Sequence, residues 1–373
     1  MKRLFTILSM AMIVNFTISS IVSAEERVSA KTSENDRVKK EDVVSALKTL
    51  GEYVKEEIDN IFSDNTFSDA SKEYKREISK KFAVSSLPTL SISNEFGNIR
   101  IIEGDVPGII FKIAITGKGE NEEDARKYAE SVDVEFKQND NNISAQTVFK
   151  KIQCRNCGRN VDYEVTVPKD TKQTLKNKFG HINVNNTGKP LDVSLEFGNL
   201  YANEISEADL SIQHGGATIN KCENMKIKSS FSKYKLGEIG FLTGSISYDG
   251  FDIEELGGTD VKSDFSSINI EKLNDSFSTS KFTYGSLKIG AVDDNFSNIK
   301  VAASFSKVKI ALTGKHNFKT TLYSDFGSIK TGDIVFYEKT LDKKGIVIGV
   351  VGKMKDPPAT VDISNEFGNI VLQ

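Results

Sequence analysis

At 373 residues the chain is long enough for two ordinary domains or for one long repeat array. A hydrophobic content of 38 %, 27 Gly and no Trp exclude one large packed core and fit many short strands around a thin one. Lys plus Arg (49) nearly cancel Asp plus Glu (52), so no net field draws the chain to nucleic acid or to an anionic membrane.

The first residues read as an export signal. Lys2 and Arg3 precede an apolar stretch from Leu4 to Ile21, interrupted by Asn15, and Val22-Ser23-Ala24 forms a small-residue cleavage site. A signal peptide over 1–24 is expected, with the mature chain starting near Glu25 in the periplasm, at the cell surface or secreted. An uncleaved anchor is the competing reading, weakened by Asn15 and two Ser-Thr clusters. No Cys follows the apolar stretch, so no bacterial lipid anchor is expected, and no later segment reaches membrane-spanning length.

Residues 25–80 read as a disordered start followed by a helical region. Val43, Val44, Leu47, Leu50, Val54, Ile58, Ile61 and Phe62 fall at three- and four-residue spacing, which predicts an amphipathic helix over 39–62. It either docks a partner or packs against the rest of the chain. The polar stretch Ser71 to Lys81 reads as a second helical piece.

Over 81–173 the pattern changes to a β-rich segment with one helix. Leu90/Ile92, Ile99/Ile101, Ile109 to Ile115, Val132 to Phe136, Ile143 to Val148 and Val161 to Val167 alternate or run apolar at strand length. The helix is placed at Asn121 to Ser131, with Asn121 as its N-cap and Glu122, Glu123 and Asp124 at the favourable end of its dipole. Cys154-Arg155-Asn156-Cys157 is a lone C-x-x-C. A zinc site needs a second such pair, and a redox pair normally opens a helix. A local disulfide between Cys154 and Cys157 is the plain reading, with Cys222 a buried, inert thiol.

From 174 to 373 a repeat governs the chain. Ser93-Asn94-Glu95-Phe96-Gly97-Asn98-Ile99 recurs letter for letter as Ser364-Asn365-Glu366-Phe367-Gly368-Asn369-Ile370. Degraded copies place an aromatic, or His214, at Phe179, Phe197, His214, Phe231, Tyr248, Phe265, Tyr284, Phe305 and Phe326, 17 residues apart between Phe197 and Phe265. Before the motif the apolar residues share the aromatic's parity (Val193, Leu195, Phe197); after it the parity flips (Leu200, Ala202). Strand side chains alternate with a period of two, so the flip marks a corner, with Gly supplying the positive φ and the aromatic filling the bend. The pairs Phe96/Gly97, Phe179/Gly180, Phe197/Gly198, Phe326/Gly327 and Phe367/Gly368 are therefore read as structural corners. Two short strands and two turns in each 17–21 residues make one rung of a β-solenoid, whose stacking supplies the core. The wider gap before Phe367 contains Val335 to Tyr337 and Gly345 to Val351, read as a projecting hairpin or an extra coil that shields the terminal edge.

Chemistry is sparse. His181, His214 and His316 lack ligand or triad spacing, so no catalytic or metal site is expected. Glu95, Glu196, Asp264, Asp325 and Glu366 precede the aromatics, but Lys178, Gln213, Ser230, Ser247 and Ser304 take the same slot elsewhere, as on a solvated face. Neither calcium-loop nor phosphate-loop patterns occur, so no cofactor is expected.

The motifs Lys81-Phe82-Ala83-Val84, Leu90 to Ile99, Val161 to Pro168, Asn177 to Ile182 and Ser364 to Leu372 resemble the putative-adhesin family of secreted, Bacteroidetes-type β-solenoid proteins, over residues 80–373. The resemblance implies a periplasmic or surface β-solenoid with an adhesive role, and offers no catalytic residues. The expectation is an all-β chain, a β-solenoid behind a mixed β/α segment, acting without catalysis as a binding or scaffold protein at the envelope, with a glycan or envelope protein as partner. A carbohydrate-active solenoid lyase or hydrolase using the stacked carboxylates is the alternative, and an envelope-signalling partner docking through 39–62 a third.

Overall fold

The computed structural model describes residues 72–85, 87–154, 156–312 and 316–373. The expected signal peptide, the polar start and the helix over 39–62 lie outside the described residues. Residues 72–373 form one unit that is nearly all β, with 24 strands joined in a single sheet and one helix among the described residues.

The repeat becomes geometry directly. Strands β11 (Asn199–Gln213), β12 (Gly216–Ser230), β13 (Lys233–Ser247) and β14 (Gly250–Asp264) pair in parallel, each with the next. The register runs Leu200↔Ala217↔Tyr234↔Phe251, each residue against the one 17 positions on. β15 (Ser267–Thr283) follows, pairing with β16 (Ser286–Val292) along its first half and with β17 (Asn298–Ser304) along its second.

The expectation of two short strands and two turns per repeat gives way to one continuous 15-residue strand in each of β11 to β14. The buried residues of β11 explain it: Leu200, Ala202, Ile205, Ala208, Leu210 and Ile212. Steps of two keep side chains on one face of a straight strand. The two steps of three keep them inward only where the strand bends. Asn203 and Ser206, inside those steps, have no register partner in β12, and their counterparts Asn220 and Glu223 are skipped with them, so the register stays at 17 and neighbouring strands bend together.

Inward rows are packed by complementary volumes. Ala217 lies beside Tyr234, whose ring stacks on Phe251 at 4.3 Å. The Tyr234 hydroxyl shares a 2.6 Å hydrogen bond with Ser229, which satisfies it inside the core. Each fully buried Ile, Leu or Phe contributes about 1.5–3 kcal/mol, so the long inward rows carry the stack.

The first copy of the repeat, β2 (Thr89–Glu95) and β3 (Ile99–Gly104), lies directly on β8 (Lys172–Lys178) and β9 (Ile182–Thr187). Residues 105–171 are thus an excursion between two adjacent repeats, and they return to cover the end of the stack. β7 (Gly158–Pro168) runs parallel to β3 and antiparallel to β4 (Gly108–Gly119). β6 (Asn142–Phe149) lies parallel on β2 and forms a hairpin with β5 (Val132–Asn139). Helix α1 (Glu122–Glu130) starts where its cap predicts: the Asn121 side chain accepts from the Asp124 N–H at 2.9 Å.

The stretch read as helical before Phe82 is a strand, β1 (Lys72–Ala83), antiparallel on β4. Tyr74, Ile78 and Phe82 recur every four residues, a spacing that suits a helix stripe and a strand face alike. Pairing with β4 decides for the strand. Lys72, Lys75, Arg76, Lys80 and Lys81 on this outer strand discourage a further chain from pairing there.

At the other end, stacking order departs from sequence order. β23 (Ala359–Glu366) lies between β17 and β19 (Phe318–Ser324), and β24 (Asn369–Leu372) between β18 (Lys307–Ile310) and β20 (Ile329–Lys330). The repeat of Phe326 is therefore outermost, although Phe367 is last in sequence. The hairpin of β21 (Phe336–Lys343) and β22 (Ile346–Val351) does not project; β22 pairs antiparallel on β19 and extends the sheet. We expect replacement of 336–351 by a short turn to bare the β19 edge and produce concentration-dependent self-association in sedimentation. A strictly monomeric variant would show that the hairpin is not an edge guard.

Candidate binding surface

The corner aromatics form one row on the outside of the stack. Phe96, Phe179, Phe197, His214, Phe231, Tyr248, Phe265, Tyr284, Phe305, Phe367 and Phe326 follow in that spatial order. Neighbouring ring centroids are separated by 4.6 Å at the closest and 5.3 Å at the widest. Interplanar angles run from 2° to 11°. The rings lie face to face, so their edges point to solvent; Phe231, Phe265, Tyr284 and Phe305 are each nearly half exposed. The parity flip is present, with Leu195 and Leu200 both buried, but the aromatic does not fill the bend.

The reason lies in the backbone. From Phe96 to Phe367 along the row each ring-bearing residue takes the left-handed conformation, with φ between 50° for Phe305 and 62° for Phe96; of the glycines that follow them only Gly97 also has a positive φ, 153°. A left-handed residue swings its side chain out of the inward parity. For a non-glycine residue this costs roughly 1–2 kcal/mol, and one aromatic stacking contact returns about 0.5–1.5 kcal/mol. With about one contact per ring the two nearly cancel, so the row holds its own strained corners. The glycine serves close approach: a Cβ on Gly198 would lie 1.9 Å from the Gly180 carbonyl oxygen, and one on Gly327 1.8 Å from that of Gly368.

Where the glycine is replaced, the side chain works. The N–H groups of Gly215, Asp249 and Gly285 donate to the hydroxyls of Ser232, Ser266 and Ser306 in the next repeat. Asp249 takes the same slot and accepts from the Ser232 N–H at 2.7 Å and the Ser247 N–H at 2.9 Å. Burial outweighs these donors and pushes the Asp249 carboxyl up from 3.8 to about 6. In two other copies interior Asn side chains donate to corner carbonyls, Asn177 to Gly97 at 2.8 Å and Asn365 to Ser306 at 2.7 Å.

The polar residues beside the row form a mixed face. Glu196 pairs with Lys178 at 3.0 Å and Asp264 with Lys281 at 2.7 Å. Glu95, Asp325 and Glu366 make no ion pair among the described residues. His214 is a member of the ring row. His181 accepts the Asn199 N–H through Nδ1 at 3.1 Å, and His316 is buried against Phe296, its Nδ1 3.5 Å from Asp294. Burial pushes the His316 pKa down. Among the described residues no group of three His, Cys, Asp or Glu side chains could hold a metal ion. Cys154 and Cys157 are joined by a disulfide; Cys222 is buried and its thiol is pushed up to about 12. Two hollows, of about 120 Å³ beside Asn94 and Asn177 and about 240 Å³ beside Ile152 and Cys154, fall short of a typical small-molecule site. No helix among the described residues is long and apolar enough to cross a membrane.

Sequence reasoning identified the corner pairs but not the outward row. The near-invariant aromatic at positions whose +1 residue is small was its only signal.

No protein-family model and no curated protein matches the chain. Solved structures do. One is a putative adhesin from Parabacteroides distasonis, 12 % identical, covering 62 % of this chain and 96 % of its own, with a TM-score of 0.34. Another is a putative adhesin from Bacteroides fragilis, 10 % identical, covering 80 % and 97 %, at 0.29. A putative cell adhesion protein from Clostridium sporogenes is 7 % identical, covering 80 % and 99 %, at 0.19. The structures to which the chain is similar are putative adhesins.

Two outcomes test the corner. Phe231→Ala keeps the left-handed strain and loses the stacking, whereas Phe231→Gly loses both. Urea unfolding should therefore find the Gly variant more stable than the Ala variant, by about 1 kcal/mol. The reverse order would mean that the ring does not offset strain. Asp249 holds its proton more tightly in the folded chain than in the unfolded one. Its contribution is full below pH 4 and is lost as pH rises to about 6. The loss is up to about 3 kcal/mol, and Asp249→Ser, which supplies the acceptor found at 232, 266 and 306, should abolish it. Equal pH profiles for the two proteins would exclude the mechanism.

Proposed function

We propose that the chain is a non-enzymatic, exported β-solenoid that binds or scaffolds at the bacterial cell envelope in the manner of an adhesin. The exposed ring row carries this reading. An uninterrupted ridge of eleven stacked rings, all Phe or Tyr except His214, is flanked by polar faces; so large an exposed aromatic surface is one that soluble monomers otherwise avoid and that interaction sites use. Parallel, in-register pairing of successive repeats supports the solenoid architecture, and the Lys2-to-Ala24 pattern supports export.

The polar rows beside the ridge support binding rather than catalysis. Their carboxylates are interrupted by Lys178, Gln213 and Ser230, and two of the five are tied up in ion pairs. A glycan or an envelope protein is the partner class that such a surface suits.

Expression of the full chain in a bacterial host, with mass spectrometry of the product and washed-cell fractionation, tests this reading. Cleavage after Ala24 and recovery with the envelope or outside the cell are expected. An uncleaved protein found solely in the cytosol would exclude it, and turnover across a glycan panel that falls in Asp264→Asn and Asp325→Asn would replace it with the lyase or hydrolase reading.

A further inference from the structure

The two ends of the ring row differ. At the Phe96 end the last ring meets the edge of Phe149 at 6.1 Å, and the Arg159 guanidinium closes the row, 3.8 Å from the Phe149 ring centre and 5.6 Å from that of Phe96. At the opposite end Phe326 stacks on Phe367 through one face only and is 68 % exposed, the most exposed ring of the row. β20, next to it, has a strand partner on β24 alone among the described residues. Asp325 and Glu366, which precede the two terminal aromatics on adjacent repeats, make no ion pair among the described residues, unlike Glu196 and Asp264 in the same polar row.

We propose that this end is a docking site for an extended, arginine-containing segment of a partner protein, one guanidinium lying on the open face of Phe326 beside Asp325, with Glu366 one repeat further in. The chain itself holds a guanidinium on aromatic rings at the other end of the row, where Arg159 lies over Phe149 and 5.6 Å from the centre of Phe96. Ring faces carry the negative side of the aromatic quadrupole, so an uncovered face beside two carboxylates selects a cation, and a planar guanidinium stacks better than an ammonium. The bare edge of Ile329–Lys330 admits an extended backbone, as in strand addition. An uncharged glycan would gain nothing from the carboxylate pair. The proposal rests on the binding reading above and names the chemistry of one partner.

Isothermal titration of the full chain with an acetylated, amidated tetra-arginine peptide tests it, beside the same peptide with citrulline, which keeps the shape and removes the charge. Arginine is expected to bind and citrulline not. Phe326→Leu, which keeps apolar bulk but has no ring face, and Asp325→Asn with Glu366→Gln should each weaken binding about tenfold while circular dichroism shows the chain still folded at the titration temperature. Phe326→Tyr should bind as the parent does. Absence of arginine binding, equal binding of citrulline, or indifference to Phe326→Leu would overturn the proposal. So would self-association of the parent that Phe326→Leu abolishes, which would make a second copy the occupant. Envelope recovery that persists without arginine binding would sink this proposal and leave the adhesin-like reading standing.

Discussion

Parallel, in-register pairing sets every residue beside its counterpart in the next repeat, and the rest of the structure answers to that constraint. Leu200, Ala217, Tyr234 and Phe251 share one inward row because the register leaves them no alternative. Apolar residues and amides gain from meeting their own kind. Asn186, Asn203 and Asn220 pass a hydrogen bond from one repeat to the next at 2.9 and 2.8 Å. Like charges lose, and in several places the outer rows change sign between neighbours, as in Asp209 with Lys226, Lys221 with Glu238 and Glu255 with Lys272, although Glu238 and Glu255 stand side by side. These pairs are exposed to solvent, so they do little to hold the stack.

The same rule turns a local fault into a continuous feature. A left-handed corner at one aromatic would be a strained outlier. Repeated at the same place in ten repeats, it puts ten rings in register, and the stacking offsets the strain that positions them. His214 is tolerated because an imidazole is flat enough to continue the stack, at 4.9 and 5.1 Å from its neighbours. The corner's other demand, a missing or hydrogen-bonding side chain after the aromatic, is met by Gly, Ser or Asp as the neighbouring N–H requires.

Much of this was legible in the sequence, and the failures are instructive. The 17-residue step, the parity flip and the Asn121 cap each specify local geometry, and the structure has all three. Parity alone, however, reports that the face changes and not which residue carries the positive φ, so the aromatic was assigned inward when it points out. Strand and helix spacing coincide at Tyr74, Ile78 and Phe82, and only pairing with β4 separates them. Stacking order at the far end was invisible for a different reason. Copies of one motif are interchangeable in sequence, so nothing marks the Phe367 repeat as lying inside that of Phe326.

A stack held by like-on-like contacts has no intrinsic length, so its ends must be built from something other than another repeat. At the Phe96 end the excursion over 105–171 supplies antiparallel strands and a guanidinium near the last ring, and the lysine-rich β1 pairs on β4 as the outer strand. At the Phe326 end β22 covers β19, and the charged strand β21 becomes the edge of that half. The other half, β20 and the outer face of Phe326, receives no strand and no ring from the described residues. Edges left open in β proteins are usually short, and β20 is two residues long, which limits unwanted pairing while leaving the ring face accessible. The asymmetry therefore gives the row a direction, closed by a cation at one end and open beside two carboxylates at the other.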